Sequence, residues 1–258
     1  MTDGRAAAHG QRAYGVRLEW GPTGAAAVAV GADIAVVVDV LSFTTTLTVA
    51  VEHGITVFPY SWKDDRAQAY ADERDAVLAV GRLEARSAAA GVSLSPTQMA
   101  HADGLERIVL PSPNGSAICF GLATSGATVV GACLRNRSAV GRWLAPQVAA
   151  GARLAVVAAG ERWPDGSLRP GLEDLWGAGA VLEAMGDVGD LSSEEAAHAA
   201  TSYAAAEPHL SDRLHACASG RELVSGGYAD DVAMAAEIDV SDVVPMLDRD
   251  AFVAAPAG

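Results

Sequence analysis

"IAVVVDVLSFTTTLTVAVEHG", residues 34–54, carries two patterns in succession. The run from Ile34 to Val38 is apolar at every position, so both faces of a strand built from it need covering. From about residue 44 to 53 the spacing changes to that of a helix, which makes the stretch a β-α unit. The same unit recurs along the chain. "TVFPY" (56–60), "RIVLPS" (107–112), "TVVGACL" (128–134) and "LAVVAAG" (154–160) read as further strands beside "IAVVVDV" (34–40), with helices expected near 63–75, 115–124, 137–148 and 172–185. Strands alternating with helices predict a three-layer α/β/α fold around a largely parallel or mixed sheet.

After residue 190 the pattern becomes helical, and "SSEEAAHAATSYAAA" opens on a serine placed to cap a helix with glutamate following. No Pro/Ser-rich linker precedes it, so residues 1–258 read as one domain with a helical C-terminal subdomain from about 190, closed by a short "VVPML" (243–247). The first fifteen residues read as a mobile start. The G-x-G of "GLEDLWGAGAVL" lacks the third glycine and the preceding strand of a dinucleotide fingerprint.

A length of 258 residues with 50% hydrophobic content supports a large core. The formal net charge of −14, with one lysine, argues against a nucleic-acid partner, because that affinity comes from basic residues neutralising phosphates. Three cysteines, Cys119, Cys133 and Cys217, with no C-x-x-C, argue against a disulfide framework or a zinc knuckle and fit a reducing cytoplasm. No signal-peptide pattern opens the chain and no run reaches ~18 apolar residues. The expectation is a cytoplasmic protein without a membrane partner. A homo-oligomer is compatible with the sequence, which does not specify one.

In open α/β sheets ligands bind beyond the carboxyl ends of strands, so the residues following each strand carry the chemistry. They are Asp39 with "SFTTT", "PSPNGS" (111–116), "LRNRS" (134–138) and "GERWPDGSLRPGLED" (160–174). Helix starts near residues 44 and 115 offer unpaired N–H groups and positive dipole ends, so they are expected to seat an anion, with Ser42, Thr44, Thr45, Thr46, Asn114, Gly115 and Ser116 beside it. The same residues also fit ordinary helix capping. Arg135, Asn136 and Arg162 come soonest after their strands, and guanidinium groups match phosphate or sulfonate oxygens in pairs.

Asp39, Glu161, Glu173 and Asp174 form an oxygen-only ligand set without clustered His or Cys, which suits Mg²⁺ rather than zinc. Glu173 and Asp174 also read as favourable first-turn helix charges. Asp39 sits beside the core, where an unpaired charge is costly, so it needs a metal, an arginine or a backbone partner. Glu161 and Asp174 are expected to approach Asp39 closely enough to share one metal.

Taken in order, "VVVDVLSFTTTLTVAVEHG", "PSPNGSA", "CLRNRSAV" and "VVAAGERWPDGSLRPGLEDLWGAGAV" resemble the successive motifs of the Mg²⁺-dependent 2-phosphosulfolactate phosphatases of coenzyme M biosynthesis, over about residues 34 to 182. The resemblance implies an α/β/α phosphatase acting on a small anionic phosphorylated substrate, a phosphate ester of a sulfonated hydroxy acid, with a divalent metal. Ser42 and Phe43 stand where that family commonly has Arg and a small residue, and its Gly-Glu and "GFDLGNSP"-like segments correspond only loosely to "GRLEARSAAAGVSLSPTQM" (81–99). The phosphatase chemistry therefore carries over better than the sulfolactate specificity. Phosphatases of another phosphorylated carboxylic acid and a non-catalytic anion-binding homologue are the competing readings.

Other phosphatase mechanisms lack their residues. Leu41 stands where a haloacid-dehalogenase-like site needs a second Asp, no Cys-x5-Arg exists, and no Arg-His-Gly is present. Metal-assisted attack by water is the simplest remaining reading, with Asp39, Glu161 or Asp174 as the base.

Overall fold

The structure is a computed structural model, and it describes residues 2–61, 66–82 and 91–256. Its centre is a nine-stranded sheet in the order β1-β7-β2-β6-β10-β11-β3-β5-β4. The strands are β1 (Val16–Trp20), β2 (Ile34–Val38), β3 (Thr56–Tyr60), β4 (Val77–Leu78), β5 (Arg107–Pro111), β6 (Thr128–Ala132), β7 (Leu154–Ala158), β10 (Pro245–Asp248) and β11 (Ala251–Ala254). A small hairpin, β8 (Glu161–Arg162) with β9 (Leu168–Arg169), stands apart. The helices are α1 (Thr2–His9), α2 (Gly21–Val28), α3 (Phe43–Glu52), α4 (Ala67–Asp72), α5 (Pro96–Met99), α6 (Gly115–Leu122), α7 (Arg137–Ala149), α8 (Leu172–Met185), α9 (Glu194–Ala206), α10 (Leu210–Ala216), α11 (Ala218–Ser225) and α12 (Ala229–Ala235).

The predicted strands and helices form where the hydrophobic pattern changes, and the architecture is the expected α/β/α arrangement. β2 is buried at all five positions because one face packs on α7, α8 and α9 and the other on α2, α3 and α6. Part of the predicted helix 63–75 lies outside the described residues, and α4 occupies the rest. The start is not a loose tail: α1 forms there, and Gln11 turns inward, its side chain bonding both the amide and the carbonyl of Leu18. "VVPML" does more than close the chain. It supplies β10, which pairs with β11 as a hairpin wedged between two parallel blocks of the sheet.

That hairpin reverses the sheet's polarity. β1, β7, β2 and β6 run parallel to one another, whereas β3, β5 and β4 are related to them through three antiparallel pairings. The carboxyl ends of β2 and β5 nevertheless meet. A right-handed twist of ~20–25° per strand, accumulated over the five steps from β2 to β5, turns an antiparallel relation into a crossing one. Val37 and Val157 from one block share a core cluster with Val57, Ile108 and Leu110 from the other, so the sheet curls around α3 and α6.

The glycines of "GLEDLWGAGAVL" are packing devices. A side chain on Gly177 would meet Val38 and Val40 at 2.7 and 2.6 Å, and one on Gly179 would lie 2.0 Å from the carbonyl oxygen of Ala199. α8 can therefore lie directly on β2 and α9. Ser193 accepts the amide of Ala196 as the expected cap of α9. Arg137 bonds Glu183, Asp239 and Tyr203, tying the C-terminal helices to the sheet layer. Cys119, Cys133 and Cys217 are free thiols. Among the described residues no helix is long and apolar enough to cross a membrane.

Candidate active site

Asp39 is the hub. It follows β2 immediately and is 4% exposed. Its charge is met by backbone: Oδ1 accepts the amide of Phe43 at 3.1 Å and Oδ2 accepts the amide of Gly115 at 2.8 Å. These are the first amides of α3 and α6, so the positive ends of two helices converge on one carboxylate. At the two helix starts expected to seat an anion, the chain's own acid takes the leading donors. Gly115 permits this approach, because a side chain there would lie 2.6 Å from Asp39 Oδ2 and 2.7 Å from Phe43.

The threonines need correcting. Thr44 Oγ1 donates to the carbonyl of Asp39 and accepts its amide, Thr45 donates to the carbonyl of Val40, and Thr46 donates to that of Ser42. All three are fully buried, so their hydroxyl protons lock the loop 39–42 rather than face a ligand. Ser116 is buried as well, accepting the amide of Tyr60 and so joining the ends of β3 and β5. Asn114 does not cap α6 with its side chain. It donates to Glu161 Oε2 at 2.8 Å instead.

Asp174, in the first turn of α8, accepts the amides of Val40 and Gly160, both at 2.8 Å. One side chain thereby fixes the loops after β2 and β7. Glu173 accepts the Ser219 hydroxyl at 2.5 Å, and Arg169 donates to that same hydroxyl. Neither acid is a solvent-facing helix charge, since both are buried. Glu161, on β8, also lines a cavity of about 290 Å³ with Asn114, Arg162, Trp20 and the start of α2. Arg162 is more exposed and donates to the carbonyl of Pro113.

The acids raise one another's affinity for protons. Burial, first of all, lifts Asp39 to about 6, against the lowering effect of its two amides, and the charge of Glu173 adds to the rise. Burial followed by the charge of Asp39 lifts Glu161 to about 7, with the Asn114 bond opposing. Asp174 is pushed up by burial and then by Glu173 and Asp39. Among the described residues no three acids, histidines or cysteines are gathered so that they hold an ion by themselves. Asp39, Asp174 and Glu161 are instead linked through loop amides and Asn114, while Glu173 is held by Ser219.

Arg135 and Asn136 lie outside this group. Arg135 pairs with Glu237 and Glu52 and donates to the carbonyl of Met234. Asn136 is a turn-former whose side chain bonds Cys133, Gly131 and Val243. Position after a strand suggested a ligand contact for both, but the C-terminal segment that occupies them is far away in sequence. The residue that sequence reasoning missed is Arg82. It comes from the divergent segment 81–99 and brings its guanidinium to Ser42 Oγ at 2.8 Å, so this strand end does receive an arginine. Its only signal in sequence was being a basic residue directly after a short strand and a glycine.

The geometry thus gathers a buried, doubly amide-held aspartate, a pocket glutamate titrating near neutrality and an arginine at the ends of β2, β5 and β7. The model of the 2-phosphosulpholactate phosphatase family matches residues 25–250. A probable 2-phosphosulfolactate phosphatase of Thermus thermophilus is 30% identical over 216 residues, covering 83% of this chain and 88% of its own. A protein of the same description from Deinococcus radiodurans is 28% identical over 218 residues, with 83% and 88% covered. The chain belongs to the 2-phosphosulpholactate phosphatase family and is by class a phosphoric monoester hydrolase.

Proposed function

We propose that the protein hydrolyses the phosphate ester of a small hydroxy acid carrying a second anionic group, 2-phosphosulfolactate to sulfolactate and phosphate being the reaction its relatives' names indicate, and that it does so with Mg²⁺. The observation that carries this reading is the convergence of buried Asp39, Asp174 and Glu173 with half-buried Glu161, acids whose charges raise one another's affinity for protons. Mutually repelling carboxylates of this kind favour a bound divalent cation. The donor set fits a hard ion, being oxygen only.

Asp39 and Glu161 would hold that ion, Glu161 through its waters. When bound, it polarises the phosphoryl group and lowers the pKa of a nearby water. Glu161 is placed to act as base: it borders the cavity, its pKa of about 7 is near working pH, and Asn114 fixes one oxygen while the other stays available. It takes the proton of the attacking water as the new P–O bond forms; the ester P–O bond breaks with its electron pair on the alcohol oxygen, which takes a proton from solvent to give the hydroxy acid. Asp174 acts on geometry, pinning the loops that carry Asp39 and Glu161. The cytoplasm is the compartment that the free thiols favour.

The departure of the sequence after Arg82, up to Met99, from the family's pattern supports a second substrate reading, a phosphorylated carboxylic acid in place of the sulfonate. Phosphate release from a panel of phosphorylated acids, 2-phosphosulfolactate among them, with Mg²⁺ and with chelator, tests both. Release that requires Mg²⁺ is expected. No release from any ester would leave an anion-binding protein and overturn the proposal.

A further inference from the structure

We infer that Ser42 and Arg82 form the receptor for the substrate's phosphoryl oxygens, Ser42 through its hydroxyl proton and Arg82 through its Nε–H, while Arg82 Nη2 also holds Ser42 in place; this rests on the phosphatase reading. Ser42 sits between Asp39 and α3, and the amide after it is the one that binds Asp39. Its Oγ accepts from Arg82 Nη2. A hydroxyl held through a lone pair keeps its own proton to donate, and among the described residues no acceptor takes it. Arg82 Nε–H is likewise buried and has no partner among the described residues. Two donors therefore lie side by side without acceptors in a site surrounded by acceptors, which is the complement of a tetrahedral oxyanion.

Arg82 is rigidly held for this purpose. Nη2 also donates to the carbonyl of Leu94 at 2.7 Å and reaches Asp231 on α12 at 3.4 Å. Asp231, 1% exposed, in turn accepts the hydroxyls of Ser95 at 2.6 Å and Thr97 at 2.5 Å. The ring of Tyr228 lies 5.2 Å from the guanidinium carbon. A C-terminal helix thus sets the angle at which a guanidinium meets the loop beside Asp39. A flexible surface arginine would not need such a mount, nor would one whose only task was to neutralise Asp231.

The test is competitive inhibition of the Mg²⁺-loaded enzyme by inorganic phosphate and, separately, by methanesulfonate, which mimics the substrate's other anion. Ser42→Ala, which leaves the Arg82–Asp231 contact intact, and Arg82→Lys are each expected to weaken phosphate inhibition about tenfold, the loss of one hydrogen bond to a charged group. The double variant should lose less than the product of the two, because Arg82 acts in part through Ser42. Methanesulfonate inhibition should be unchanged. Phosphate inhibition within twofold of wild type in folded Ser42→Ala, strictly multiplicative losses, or losses confined to methanesulfonate overturn the inference while leaving the hydrolase reading intact. If the protein releases phosphate from no ester, binding of inorganic phosphate is read by calorimetry, and binding weakened about tenfold in Ser42→Ala overturns the hydrolase reading and leaves this one standing.

Discussion

Replacing Asp39 by asparagine separates its chemical role from its structural one. The ionised carboxylate is burdened by burial: raising its pKa from the ordinary 3.8 to about 6 destabilises the charged folded state by about 3 kcal/mol at neutral pH. Asparagine removes that burden. It also replaces one acceptor oxygen with an amino group, and both oxygens now accept amides, from Phe43 and Gly115. One buried N–H would then face another donor, a loss of about 1–3 kcal/mol. The two effects offset within about 2 kcal/mol, so the melting temperature should stay within about 5 °C of wild type for a chain of this size. Turnover should behave differently, falling at least about a hundredfold, as expected when a metal-holding or proton-handling acid is lost. Thermal melting and phosphate release, measured on the same preparation with and without Mg²⁺, give both numbers. Wild-type turnover in Asp39→Asn refutes the assignment of Asp39 to the chemistry. A melting point lower by more than about 10 °C refutes the cancellation.

Three further outcomes are expected. Asp39 and Glu161 both have folded pKa values above their unfolded ones, so the unfolded chain ionises first and the metal-free protein should lose stability as pH rises from about 4 to 7; Mg²⁺ should restore it above pH 7, and a metal-free melting temperature that rises over that window contradicts the site's electrostatics. Gly115→Ala should destabilise the fold by about 1–3 kcal/mol and depress activity, since its new methyl would lie 2.6 Å from Asp39 Oδ2; unchanged denaturant and kinetic curves would show that α6 shifts freely. Arg135→Ala should lower the denaturation midpoint while KM stays within twofold of wild type, because its partners are Glu237, Glu52 and Met234; a KM raised tenfold would return Arg135 to the substrate site.

Local pattern alone was enough to locate β2, β3, β5, β6 and β7 and the helices after them, because an apolar run or a 3.6-residue spacing is written in adjacent residues and sheet or helix follows directly from it. β1 and the β10–β11 hairpin escaped: "VRLEW" mixes charge into a strand buried at its start, and β11 is short and alanine-rich. Neither earns its place until its neighbours exist. Asp39 was legible for the same local reason as β2, since an acid ending a wholly apolar strand must be compensated by something, and Glu161, Asp174, Asn114 and Gly115 were legible as strand-end residues.

What compensates Asp39 was decided by tertiary structure alone. The amide of Gly115 lies 76 positions from Asp39 in sequence and at the start of the helix that follows a strand five places away in the sheet, and only the curl around α3 and α6 joins them. The packing of the C-terminal segment gives Arg135 to Glu237. It also lets Arg82, anchored on Asp231 149 residues later, reach Ser42. A sequence specifies which residues can donate, accept or carry charge. Which donor meets which acceptor depends on long-range closure of the sheet, and at a site made of buried charges that pairing is the chemistry.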